Sequence, residues 1–132
     1  MKLKYFLIFI IIFLISCTQQ QTQIETIGVV NMKLTSPAFA NNDIIPSEFT
    51  CDGDDLSPPL SISDVPSNAK SLALVMDDPD APVGIWDHWI VFNILSSTKQ
   101  ISKRAEPEGI AGKNSWGRTG YGGPCPPSGT HR

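Results

Sequence analysis

Three short stretches of this 132-residue chain carry the side chains that could do chemistry. Asp78-Pro79-Asp80-Ala81-Pro82 sets two carboxylates among prolines. Proline fixes φ and withholds a backbone donor, so these carboxylates ride on a stiff turn. Such a turn suits binding, and it equally suits an Asx-type turn in which the aspartates bond their own backbone. His88 comes next, with Trp86 two residues before it and Trp89 beside it. Alternation along a strand puts residues 86 and 88 on one face, an indole wall next to an imidazole. A histidine at the start of a strand also serves as an ordinary structural residue. The third stretch, Gly120 to Arg132, reads GYGGPCPPSGTHR and holds the second histidine, His131. Its glycines let backbone approach a ligand closely, successive N–H groups in such turns form anion-binding nests, and its prolines stiffen the path.

Three chemistries fit this set. A small anion would be held by imidazole and backbone N–H groups. Histidine and aspartate are also metal ligands, but no pair falls at the close HxxxH or CxxC spacing, so neither a metal nor a cofactor is expected. A His131 and Asp78 pair could act as general base on a small ester, yet the nearest hydroxyl, Ser128, lacks the GxSxG elbow of a hydrolase nucleophile. The expectation is therefore binding without catalysis.

The elements that must position these residues are strands. From Met32 onward apolar residues come in short runs broken by Pro, Gly, Asn and Asp, and no window shows a sustained helical period. The pattern predicts a mostly β domain with strands at Lys33 to Thr35 leading to Phe39, Leu60 to Ser63, Leu72 to Met76 and Trp89 to Leu95. The last two are nearly continuous apolar runs, as expected of central strands covered on both faces. The polar loop Asp77 to His88 joins them, so their ends should meet. Gly109 to Arg132 is too rich in Gly and Pro for regular structure over most of its length.

Residues 1–16 read as a signal peptide: Lys2 and Lys4, an apolar run from Tyr5 to Ile15, then Ser16 before Cys17. A spanning helix needs about 20 apolar residues, roughly twice this run. Leu14-Ile15-Ser16-Cys17 resembles a bacterial lipobox, whose cysteine is acylated, so residues 17–31 become a lipidated tether and residues 32–132 the domain. Removal of residues 1–16 takes two lysines and no acid, leaving eight Lys and Arg against 13 acids and moving the formal charge from −3 to −5. An acidic chain with no basic run lacks the electrostatic footprint of a nucleic-acid binder. Cys51 and Cys125 then remain in an exported, oxidising setting, either bridged or as two separate buried thiols. A bridge would close a loop of about 75 residues and contribute roughly 4 kcal/mol in the chain-entropy model.

The blocks DPDAP, WDHW and GYGGPCPPSGTHR, with FTCDGDDLSPPLS at Phe49 to Ser61, resemble in order and separation the bacterial, Raf-kinase-inhibitor-like branch of the phosphatidylethanolamine-binding proteins. The likeness covers about Lys33 to Arg132. It implies a β-sheet domain with a small pocket for phosphate-like anions or phospholipid head groups, lined by Asp78, Asp80, His88, Pro127 and His131, with Trp86 at the rim. It also implies a pocket tyrosine, a further strand and a C-terminal segment past Arg132, so that the domain is incomplete at its C-terminus. The expected partners are a small anion or head group and, through the anchor, a membrane in the cell envelope; a homodimer is allowed for. An envelope protein-interaction or inhibitor module is the other binding reading.

Overall fold

The computed structural model describes residues 31–132. The signal peptide, Cys17 and all but the last residue of the tether lie outside the described residues. Six strands form in chain order: β1 Lys33–Thr35, β2 Leu60–Ser63, β3 Ser71–Asp78, β4 Trp86–Leu95, β5 Gln100–Ile101 and β6 Ile110–Ala111. The helical element described is one 3₁₀ turn, Ser47–Phe49. No helix among the described residues is long and apolar enough to cross a membrane.

The strands make two antiparallel three-stranded sheets, β1-β2-β5 and β3-β4-β6. Ile62 and Ile101 from the first sheet meet Leu74, Trp89, Val91 and Ile94 from the second in one buried cluster, with Met76 and Tyr121 packed against it. The core is thus the layer between the sheets, supplied by alternate residues of each strand. Trp89 is its largest side chain, and its indole N–H is not left unsatisfied: it donates to both carboxylate oxygens of Glu106 at 3.0 and 3.1 Å.

The two apolar runs form the central hairpin as expected, but they are not covered on both faces. In β3 exposed and covered residues alternate, and Val75, Phe92, Leu95 and Ile110 are exposed. An apolar run reads the same whether one face or two are packed, because strand composition does not report what lies across the second face.

The hairpin is longer than its apolar runs. Asp77 pairs with Asp87 and Asp78 with Trp86, so the polar ends continue the ladder and bring both ends of the 79–85 connection together. Two irregularities interrupt this ladder. At the first, Leu72 pairs with Ile94 but Leu74 with Val91, and Asn93 adopts φ 55°. At the second, Met76 pairs with Trp89 and Asp77 with Asp87, which leaves His88 as the extra residue of a β-bulge. A bulge bends its strand and re-aims one side chain.

Candidate functional site

The second bulge fixes the first wall of a cleft. His88 is buried at 4% exposure, and its Nδ1–H donates to the Gly122 carbonyl at 2.7 Å, while Gly122 N–H donates back to the His88 carbonyl at 3.1 Å. β4 and the Gly-rich strap are therefore clipped together through backbone and ring alike. Trp116 stands edge-on to both the His88 ring and Trp86, with centroids 5.3 Å away in each case. A β-carbon on Gly122 would fall 2.7 Å from the Trp116 ring, so only glycine allows this approach.

The strap from Tyr121 onward has no ladder and is held by single contacts. The Tyr121 hydroxyl donates to the Phe49 carbonyl, and burial together with the nearby Asp55 carboxylate pushes that phenol well above its usual range, so it stays a neutral donor. Gly123 N–H donates to Asp55 Oδ1, and a β-carbon at Gly123 would meet the Phe49 carbonyl oxygen at 2.6 Å. Cys51 N–H donates to the Pro124 carbonyl at 3.2 Å, and Cys51 and Cys125 are joined by a disulfide with Cα atoms 5.4 Å apart.

The strap returns to the Asp-Pro turn at its far end. His131 Nδ1 lies 2.6 Å from Asp78 Oδ2, and Asp78 Oδ1 accepts the Asp80 N–H at 2.8 Å. Asp78 thus makes the Asx-type turn with one oxygen and orients an imidazole with the other. Desolvation pushes the Asp78 carboxyl upward, but the bonds from His131 and the Asp80 N–H, with the charges of His131 and His88, outweigh it and hold the group below its usual value of 3.8. Between these walls lies a cleft of about 380 Å³ lined by Asp78, Trp86, His88, Trp116, Pro126, Pro127 and His131, with Ala81, Pro82, Val83 and Cys125 around them.

A sequence profile described as "Phosphatidylethanolamine-binding protein" matches residues 35–132. The chain belongs to the phosphatidylethanolamine-binding protein family. Among curated relatives, the "UPF0098 protein" of Methanothermobacter thermautotrophicus is 49% identical over 107 residues, covering 76% of this chain and 71% of that protein. Those of Aquifex aeolicus and Archaeoglobus fulgidus are 48% and 39% identical over 77% and 89% of this chain. The matches span 63% and 41% of those two relatives' lengths. Of solved structures, a putative phosphatidylethanolamine-binding protein homologue from Chlamydia trachomatis superposes with a TM-score of 0.73 at 44% identity, over 76% of this chain and 69% of that one. Escherichia coli YbcL, described as a new member of the mammalian PEBP family, does so at 0.70 and 32%, over 76% and 71%.

Within this phosphatidylethanolamine-binding fold, five of the six ligand-site residues named from the sequence, Asp78, Trp86, His88, Pro127 and His131, line one cleft. Asp80 does not. Its carboxylate accepts the Arg132 backbone N–H and Nε–H at 3.0 Å and an Nη2–H at 3.1 Å, at the exposed rim. Those bonds, with the Arg132 charge, hold the Asp80 carboxyl below its usual value. The reason is the turn itself: Asp80 gives its N–H to Asp78, and its own carboxylate is taken up by Arg132. Sequence reasoning missed Trp116, which lies in none of the four motif blocks and stands in a loop organised by Asn114. Asn114 Oδ1 accepts the N–H groups of Trp116 and Arg118 at 3.1 and 3.3 Å, and the Asn114 N–H donates to the Arg118 carbonyl at 2.9 Å. An asparagine six residues before the glycine-rich run that starts at Gly120 was the available signal.

Proposed function

We propose that this chain is a non-catalytic binding protein whose cleft takes a small phosphate-like anion or phospholipid head group, and that a lipid anchor at Cys17 holds it at an envelope membrane. The observation that carries the reading is the convergence of His88 and His131 on one cleft, each with Nδ1 already engaged, so that each ring has Nε2 left for a ligand. The indoles and prolines around them provide apolar walls that lower the local dielectric and strengthen a polar contact to the ligand. Ser128 is exposed and does not line the cleft, which supports binding over acyl transfer. The lipid anchor is supported by the Leu-Ile-Ser-Cys sequence alone.

The test is calorimetric titration of inorganic phosphate and of glycerophosphoethanolamine into the full chain, its His88→Ala variant and its His131→Ala variant. Binding that drops at least tenfold in each variant is the expected result. Variants that bind as tightly as the parent would show that the ligand sits elsewhere.

A further inference from the structure

The hydrogen bonds of the two histidines decide where their protons are, and this constrains what the cleft can hold. The Gly122 carbonyl can only accept, so His88 carries its proton on Nδ1. Asp78, held ionised, can only accept, so His131 also carries a proton on Nδ1. In the neutral form of either ring Nε2 is then a bare lone pair, and no protein group among the described residues occupies it. Asp78 adds carboxylate oxygens, and Pro126 and Pro127 have no N–H to give. With both rings neutral, the imidazole and carboxylate groups of the cleft are acceptors, a poor match for a fully deprotonated anion.

We infer that anion capture here is proton-coupled: a phosphodiester is held only when His131 Nε2 gains a proton, whereas hydrogen phosphate supplies the proton itself. The inference rests on the binding reading above. For a diester the proton comes from solvent, one per ligand, and His131 Nε2–H donates to a non-bridging phosphate oxygen. For hydrogen phosphate the P–O–H donates to the neutral Nε2, and no proton is exchanged with solvent. His131 is the ring to charge, because the Asp78 carboxylate lies 2.6 Å from its Nδ1, while His88 is backed by a neutral carbonyl. The other charged groups facing the pair do not change this assignment. From the turn, Asp80 is neutralised by Arg132 of the strap, and Arg118 lies over the Trp116 ring at 5.5 Å.

The inference separates a lipid-type head group from free phosphate by proton count. Calorimetry of the full chain at about pH 8, in two buffers of different ionisation heat, should find about one proton taken up per glycerophosphoglycerol, a diester with no amine, and none per inorganic phosphate. The diester's affinity should fall about tenfold for each further pH unit, and phosphate's should stay nearly level. His131→Gln, whose amide donates without titrating, should bind the diester with that pH dependence gone. Equal proton counts for the two ligands, at zero or at one, overturn the inference, as does a Gln variant that keeps the parent's pH dependence. Failure of both ligands to bind at any pH overturns the binding reading itself and takes the inference with it. Should the variant not fold, the parent's two proton counts decide alone.

Discussion

The two walls of the cleft are built in opposite ways. His88 and Trp86 ride on β4, where ladder pairing, the buried Trp89, Val91 and Ile94, and a single bulge set their direction. His131 and Pro127 ride on a strap with no ladder, fastened by a disulfide, two glycine close approaches, the Tyr121 bond and the His131–Asp78 pair. A strand delivers side chains at fixed intervals and survives loss of any one contact. A strap can go where a strand cannot, crossing from β4 back to the Asp-Pro turn, but each fastening is an individual vulnerability.

The largest expected effect strikes what both walls share. Trp89→Ala empties the centre of the layer and strands Glu106, and should lower stability by about 3–5 kcal/mol in urea unfolding. One cooperative transition shifted as a whole is the expected form; separate transitions for strap and sheet would show that the walls do not share one core. Next is the pair Cys51→Ser with Cys125→Ser, which should cost up to roughly 4 kcal/mol by the loop-entropy account. Under native conditions its hydrogen-exchange signature should be local: faster exchange at Gly122 and Gly123, with the amides of β3 and β4 keeping their relative protection. Equal loosening of both walls would break the distinction.

The smallest effect concerns the clasp between strap and turn. Asp78 titrates lower folded than unfolded, so its contribution to stability is present above its ordinary value of 3.8 and is lost as pH falls through its lower folded value. Asp78→Asn should flatten the acid limb of a plot of urea midpoint against pH. An unchanged limb would place the acid sensitivity in other carboxylates.

The same contrast explains what the sequence disclosed. The strand at 60–63 matches the expectation from alternation to the residue, the first strand forms at 33–35 without running on to Phe39, and the hairpin matches in its apolar middle. Its polar ends, Asp77–Asp78 and Trp86–His88, lie outside the apolar runs that marked the strands, because ladder bonds are backbone bonds and continue through any side chain with room to point outward. β5 and β6, two residues each, are too short to carry a period. The bulge at His88 has no glycine to mark it. On the strap, composition correctly implied irregular backbone and motif resemblance placed His131 and Pro127, but the partner of each fastening is dozens of residues distant and leaves no local trace. Asp78 and Asp80 show the limit most sharply: identical residues two apart on one turn, one facing the cleft and the other tied to Arg132.

The central claim is that His88 and His131 present Nε2 to a common phosphate-sized ligand. Nitrogen NMR of the imidazole rings during titration with inorganic phosphate tests it most directly. The account predicts that both Nε2 resonances and the Trp86 and Trp116 indole signals move together on one binding curve, while both Nδ1 resonances keep the signature of a protonated, hydrogen-bonded nitrogen. Phosphate binding that leaves the two Nε2 resonances unmoved, or moves one without the other, would contradict it.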